Sequence, residues 1–175
     1  MDDDKIIDIV LQFEGGFVNN SADHGGPTNF GITAATLGRA RNLGRAATVD
    51  EVRGLSRSEA AAIYKKSYLT DPGFDGIDNV NTRLVLVDTG VLHGPARSIA
   101  FLRQCLGAPA TPKPVSKLDA ETVQTAAKHP DPDQLASQLL SLRLKSYTTI
   151  VRNDRTQLQF VGGWVNRVAA LLEQV

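Results

Sequence analysis

Two carboxylates, Glu14 and Asp23, stand close together in the sequence with eight residues between them. Five glycines and one proline fall between Gly15 and Ile32, which favours a loop or a small irregular hairpin over a helix. Such a segment is able to fold Asp23 back beside Glu14. Glycoside hydrolysis needs one carboxyl that donates a proton to the leaving oxygen and a second, ionised one that activates water or stabilises positive charge.

The position of Glu14 favours the role of the acid. Apolar residues recur at helical spacing from Ile6 to Phe13, and Gly15–Gly16 is expected to end that helix. Glu14 then faces the negative end of the helix dipole, and Phe13 and Phe17 partly desolvate it. Both effects favour the protonated form of its carboxyl.

Asp23 is expected to stay ionised, because its neighbours are Ser21, His24 and glycine amides. If it positions water for inversion, the two carboxyls should stand roughly 6.5–9.5 Å apart, against about 5–5.5 Å for a retaining mechanism. The structural alternative is that Asp23 is an Asx-turn residue and Glu14 only ends a helix. The spacing by itself leaves both alternatives open.

Helices are expected to position this segment. Two capping boxes, Thr48 with Glu51 and Ser56 with Glu59, each predict a helix start. Asn81 is a plausible cap for a helix over Leu84–Leu92, which is apolar nearly all round and is therefore expected to be the central one. Further helices are expected before Gly107, after Asp119, from Asp133 to Val151 and from Trp164 to Leu172. We predict an α-dominated, lysozyme-like fold of six or seven helices, with a small irregular loop or hairpin near residues 15–33.

Composition excludes several classes of function. Nineteen basic and nineteen acidic residues give no net charge, which argues against a nucleic-acid partner, and no apolar run is long enough to insert into a membrane.

The single cysteine, Cys105, excludes an intramolecular disulfide and is expected to be an inert buried thiol. The three histidines include no pair at ligand spacing, so we expect no metal and no other cofactor. The acidic N-terminus does not look like a cleaved export signal.

The sequence Glu14-Gly-Gly-Phe-Val-Asn19, followed by Asp23-His-Gly-Gly-Pro-Thr-Asn-Phe-Gly-Ile-Thr33, resembles the signature of glycoside hydrolase family 108. This family comprises phage endolysins and secretion-associated N-acetylmuramidases. Residues 63–68 and 87–90 are similar to later motifs of the family, and residues 94–107 with 162–168 resemble the peptidoglycan-binding region that follows. The resemblance implies a lysozyme-like catalytic region over 1–93 and a helical peptidoglycan-binding-like region over 94–175, packed as one globule.

The resemblance also implies roles for individual residues. Glu14 is then the catalytic acid of a muramidase that cleaves the β-1,4 bond between N-acetylmuramic acid and N-acetylglucosamine in peptidoglycan. Asp23 is the second carboxylate, and Thr28 is a possible water-holding hydroxyl. In the similar Glu-Asp-Thr triad of phage-type lysozymes the threonine lies six residues after the aspartate, a place that Asn29 occupies here. The third partner is therefore Thr28, Thr33 or neither.

Five further side chains are expected to contact the substrate: Asn19, Thr33, Tyr64, Tyr68 and His93. Tyr64 and Tyr68 lie four residues apart, which suits either a sugar-stacking wall or core packing. The same two alternatives apply to Trp164. His93 stands where the family pattern has asparagine. Between Arg39 and Lys66 seven basic residues face three acidic ones, which suits either an anionic cell wall or a solvated helix face.

Two rival functions follow from the same residues. A lytic transglycosylase works with a single acid and releases an anhydro sugar, whereas a catalytically silent wall-binding module uses the segment only to shape a sugar groove. The presence of both carboxylates favours the hydrolase. We expect a monomer whose partner is the peptidoglycan glycan strand. It would be made in the cytoplasm and would act on the cell wall after release by a holin, by lysis or by a dedicated secretion route.

Overall fold

The computed structural model describes residues 1–19 and 26–175, so Asp23 and His24 lie outside the described residues. The described chain contains nine α-helices and one two-stranded antiparallel sheet, which confirms the α-dominated, lysozyme-like fold with more helices than the six or seven predicted. Two compact units are present, an N-terminal unit over Asp2–Ser67 and a C-terminal unit over Tyr68–Val175. No helix in the described ranges has the length and apolar character needed to cross a bilayer.

The N-terminal unit carries the residues predicted to do chemistry. Its elements are α1 (Asp3–Gln12), β1 (Thr28–Asn29), β2 (Ile32–Thr33), α2 (Ala34–Ala40), α3 (Val49–Arg53) and α4 (Arg57–Tyr64). After α4 the chain continues as a π-helical turn, Lys65–Thr70. The side chain of Asp2 caps α1 by accepting a hydrogen bond of 2.8 Å from the Lys5 N–H, and the apolar face of α1 packs against α4.

Local capping rules predict several helix starts in this unit. Thr48 and Glu51 form a complete capping box at α3. At α4, Ser56 accepts a hydrogen bond from the Glu59 N–H, but the Glu59 carboxylate binds Arg41 at 2.7 and 2.8 Å. The second capping box is therefore only half formed, because a better partner is available for its glutamate.

Helix α2 is one that the periodicity does not reveal. Only Leu37 and Gly38 are buried in its seven residues, so its apolar pattern is weak. Its start is marked by Thr33, at the end of β2, which caps it by accepting a hydrogen bond of 3.2 Å from the Thr36 N–H.

The basic excess of the N-terminal unit is largely neutralised by ion pairs. Five of the seven basic side chains between Arg39 and Lys66 pair with acidic residues: Arg41 with Glu59, Arg45 with Glu51, Arg53 with Asp50, Arg57 with Asp8, and Lys65 with Asp4. The arrangement corresponds to a solvated helix face rather than to a free cationic surface.

The C-terminal unit is built around one buried helix. Its helices are α5 (Val80–His93), α6 (Pro95–Cys105), α7 (Ala120–Ala127), α8 (Pro132–Asn153) and α9 (Val161–Leu172), with 3₁₀ turns at Phe74–Gly76 and Arg155–Phe160. Every residue of α5 from Leu84 to Gly90 is buried, as its composition predicts. The helix packs mainly against α6 and α8.

The prediction that Asn81 caps α5 is wrong. The cap is Asn79, whose side chain accepts a hydrogen bond of 2.8 Å from the Thr82 N–H. Asn81 instead donates through its amide to Asp133 at 3.0 Å. Asn79 also donates to Asp133, at 3.1 Å, while its Oδ1 accepts the capping hydrogen bond.

Helix α5 also carries a buried ion cluster. The Asp88 carboxylate pairs with Arg143 at 2.5 Å and with Arg167 at 2.7 Å. Arg143 Nε donates to the Tyr147 hydroxyl at 2.6 Å, and the Asp88 and Arg143 side chains are completely buried. We call Asp88, Arg143 and Arg167 the buried triad. It joins α5, α8 and α9.

The compact units divide the chain at Ser67–Tyr68, whereas the motifs suggested a division at 93–94. Helix α5 ends at His93 and α6 begins at Pro95, and the two helices pack extensively against each other. Compactness therefore does not separate residues 1–93 from 94–175. That division stays a prediction about function.

Candidate active site

Glu14 lies directly after α1. The Phe13 N–H donates to the Val10 carbonyl at 3.1 Å, and the Glu14 N–H donates to the Leu11 carbonyl at 3.3 Å. These bonds tighten the last turn of the helix, so that Glu14 is held at its C-terminal edge, where the sequence predicts it. Its side chain is half-buried.

A short hairpin lies beside Glu14. Thr28 pairs with Thr33 and Asn29 with Ile32, which leaves Phe30 and Gly31 as the two-residue turn. Side chains alternate along a strand, so Asn29 and Ile32, both buried, share one face, and the half-buried Thr28 and Thr33 share the other. Val18 exchanges backbone hydrogen bonds of 2.8 and 2.9 Å with Thr28, which fixes the chain after Glu14 to the hairpin.

The carboxylate of Glu14 approaches the turn closely. A Cβ atom added to Gly31 would lie 2.6 Å from Glu14 Oε2 and 2.7 Å from the Tyr64 hydroxyl oxygen. Both distances are shorter than any normal contact of a carbon atom. The fold therefore brings Glu14, Gly31 and Tyr64 together, although they come from the end of α1, the hairpin turn and α4.

The candidate third partners of Glu14 and Asp23, the predicted catalytic pair, have different surroundings. The Thr33 side chain caps α2 and donates to the Thr36 hydroxyl at 3.1 Å. Asn29, in the place of the lysozyme threonine, is buried and donates through Nδ2 to the carbonyls of Val52 and Arg53 at 3.1 and 3.3 Å. Asn29 therefore anchors the hairpin to α3, and Thr28 is the threonine whose side chain no cap occupies.

The residues predicted to contact substrate fall in both units. Asn19 is exposed, and Tyr64 is only 3% exposed, which corresponds to the core-packing alternative for its ring. Tyr68 lies in the π-helical turn, is half-buried and packs near Gly90. His93 ends α5 in the C-terminal unit. Substrate contacts at these positions stay predictions.

His93 borders a cavity of about 690 Å³ in the C-terminal unit, lined by α6 and the proline-containing segment after it. Burial and the nearby charges of Arg143 and Arg97 lower the pKa of His93 from 6.5 to about 4. Its Nε2 atom is buried and has no hydrogen-bond partner among the described residues. The imidazole is therefore neutral at pH 7.

Because His93 is neutral in the folded chain, we predict that the folded state loses stability as the pH falls. The unfolded chain binds a proton at His93 below pH 6.5, and the folded chain does so only below about pH 4. The contribution of His93 is complete above pH 6.5 and is lost as the pH falls towards 4. We expect the melting temperature of His93→Gln to fall less than that of the parent between about pH 7 and about pH 4.5, when both are followed by circular dichroism. Parallel curves over this range would contradict the assignment.

Trp164 and Cys105 lie in surroundings that indicate a structural role. The Trp164 ring lies 4.9 Å from that of Tyr147 and 6.1 Å from that of Phe160, which corresponds to the core-packing alternative. Burial raises the pKa of the Cys105 thiol to about 11, as expected for an unreactive cysteine. Within residues 1–19 and 26–175, no group of three or more acidic, histidine or cysteine side chains is arranged to hold a metal ion.

Sequence reasoning missed the contact of Gly31 with Glu14 and Tyr64, and it missed the buried triad. Gly31, Tyr64, Asp88 and Arg167 all stand within the motifs quoted above, so the motifs marked the right positions without revealing what each residue touches. Arg143 lies in no motif, and only its burial identifies it.

Comparison with known proteins identifies the family of this chain. A family model described as Glycosyl hydrolase 108 matches residues 7–94, a range that contains Glu14, the hairpin and Tyr64. A solved structure described as "Structure of Brucella abortus SagA" superimposes with a TM-score of 0.77 at 28% sequence identity, covering 97% of this chain and 91% of that one. No curated protein sequence matches the chain. The family model spans half of the chain, so the chain belongs to glycoside hydrolase family 108 and is a glycoside hydrolase.

Proposed function

We propose that this protein is an N-acetylmuramidase that hydrolyses the β-1,4 bond between N-acetylmuramic acid and N-acetylglucosamine in peptidoglycan. Membership of family 108 supports peptidoglycan as the substrate class. The observation that carries the proposal is the placement of the Glu14 carboxylate, half-buried at the end of α1 and held against the Phe30–Gly31 turn.

Glu14 acts as the general acid in this proposal. Its proton passes to the glycosidic oxygen as the bond to the sugar breaks, while positive charge develops at the anomeric carbon. The half-buried carboxyl beside the hairpin turn suits this role, because proton donation requires its oxygen to be within hydrogen-bond reach of the leaving oxygen.

Asp23 is our second carboxylate, nine residues after Glu14 and outside the described residues. It would position the attacking water or stabilise the oxocarbenium-like transition state. Thr28 is the better candidate for a water-holding hydroxyl, because Thr33 already caps α2. The exposed Asn19 and the half-buried Tyr68 and His93 are proposed to contact the glycan.

Analysis of the reaction products tests the proposal. Purified peptidoglycan is digested with the protein, and the soluble fragments are identified by mass spectrometry before and after borohydride reduction. We expect reducing N-acetylmuramic acid ends. Reducing glucosamine ends would indicate a glucosaminidase, anhydro ends a transglycosylase, and the absence of soluble fragments a silent wall-binding module. Each of these three results would overturn the proposal.

The proposed substrate also defines where the protein works. Peptidoglycan lies outside the cytoplasmic membrane, so we propose that the enzyme acts in the cell wall after release from the cytoplasm. We further propose that it acts as a monomer, and light scattering should then give a mass near 18.8 kDa. A mass of twice this value in solution would contradict the monomer.

A further inference from the structure

The turn between β1 and β2 has an uncommon backbone conformation. Phe30 has φ 49° and Gly31 has φ 70°, so both central residues of this two-residue hairpin turn lie in the left-handed region. Glycine adopts this region readily, whereas a residue as bulky as phenylalanine rarely does. A conformation of this kind persists only where the surrounding structure holds it.

Two side chains hold the turn in place. The Tyr64 hydroxyl donates a hydrogen bond of 2.9 Å to the Phe30 carbonyl oxygen, and the Tyr64 ring on α4 is 3% exposed. From the neighbouring strand, buried Asn29 donates to the carbonyls of Val52 and Arg53. The turn is therefore bonded to α4 on one side and to α3 on the other.

Gly31 is the point at which this turn meets Glu14. Its missing side chain leaves room for Glu14 Oε2 and the Tyr64 hydroxyl oxygen, which would lie 2.6 and 2.7 Å from a Cβ atom. A shift of the turn would therefore act directly on the Glu14 carboxylate. The carboxylate therefore lies against the turn, and the hydrogen bond from Tyr64 is one of the contacts that hold the turn.

We propose that Tyr64 is a positioning residue for Glu14 and acts through the Phe30–Gly31 turn rather than by contact with the sugar. This inference rests on the proposed role of Glu14 as the general acid. Because reactivity depends steeply on the placement of the reacting atoms, a displacement of about 1 Å lowers the rate by as much as roughly 10²-fold. Loss of the hydroxyl should therefore reduce catalysis while leaving binding of the glycan largely intact.

The first test is Tyr64→Phe, which keeps the ring and removes the hydroxyl. On soluble, uncross-linked peptidoglycan strands we expect kcat to fall about tenfold with KM changed less than about twofold, because the change affects the chemical step and not the binding surface. The matched control is Tyr147→Phe in the C-terminal unit, since Tyr147 is also 3% exposed and its hydroxyl also takes part in a buried hydrogen bond. The control should retain the parent kcat.

The second test separates positioning from general loss of stability. If Tyr64 acts through Glu14, Tyr64→Phe should have less than about a twofold effect on the residual activity of a Glu14→Gln background, since residues that act as a unit are not additive. An equal loss in both backgrounds, an unchanged kcat in the parent, or an equal loss in Tyr147→Phe would overturn the inference. If Glu14→Gln itself retains full activity, the proposed function fails, and this result is distinct from a failure of the inference about Tyr64 alone.

The third test addresses the contact at Gly31. Gly31→Ala places a methyl group against Glu14 and Tyr64, whereas Gly44→Ala imposes the same backbone strain at φ 66° with no atom within 4 Å of the new carbon. We expect kcat of Gly31→Ala to fall about 10²-fold and that of Gly44→Ala to stay within about twofold, with circular dichroism confirming that both are folded. Equal activities of the two folded variants would exclude a role for the contact. If Gly31→Ala does not fold, the Tyr64→Phe comparison decides.

Discussion

Replacing Glu14 with glutamine is expected to lower the rate of peptidoglycan hydrolysis by at least about 10²-fold, the usual contribution of a positioned general acid. Glutamine has nearly the shape of glutamate and keeps the packing against Gly31 and Tyr64, but it has no proton to donate to the leaving oxygen. The loss should therefore appear in kcat, with little change in the melting temperature.

The measurement is the initial rate at which soluble fragments leave purified peptidoglycan. Glu173→Gln is the matched control, because Glu173 is exposed just after α9 and undergoes the same chemical change far along the sequence. The control should keep the parent rate. If Glu14→Gln retains most of the activity while folding normally, the acid lies elsewhere in the chain.

Replacing Asp88 with asparagine is expected to destabilise the C-terminal unit by about 3–5 kcal/mol, as is typical when one member of a buried ion pair is removed. Arg143 is completely buried and Arg167 is nearly so, and both depend on this carboxylate. Asparagine leaves two guanidinium charges in the interior without a counter-ion. The desolvation cost of both charges then counts against the folded state.

Urea unfolding followed by circular dichroism measures this effect, because both units are mainly helical and both contribute to the signal. Asp8→Asn is the control. Its partner Arg57 and Asp8 itself are about half exposed, so the expected loss is below about 1 kcal/mol. Equal losses for the two variants would show that the buried triad contributes no more than a surface ion pair.

The buried triad shows which contacts are made by residues of two motifs, contacts that the sequence did not reveal. Asp88 belongs to residues 87–90 and Arg167 to residues 162–168, two segments that resemble separate parts of the family pattern. Their side chains meet at 2.7 Å in the core of the C-terminal unit. These two motif residues therefore form an ion pair that links α5 to α9.

Features that depend on neighbouring residues could be predicted from the sequence alone. The end of α1 before Glu14 follows from apolar spacing and Gly15–Gly16, and the starts of α3 and α4 follow from the caps Thr48 and Ser56. The burial of α5 follows from its composition. Local hydrogen bonds and periodicity act over one or two helical turns, so they can be read from a short stretch of residues.

Contacts between distant residues could not be predicted in this way and are seen only in the folded chain. Asp133, far along the chain, accepts hydrogen bonds from both Asn79 and Asn81 beside the start of α5. The absence of a side chain at Gly31 matters because Glu14 and Tyr64 come from two other elements to the same point. Asp88 meets Arg143 and Arg167 only when α5, α8 and α9 pack together. Such contacts result from chain segments packing at long sequence separation, and the spacing of residues along the sequence carries no record of that packing.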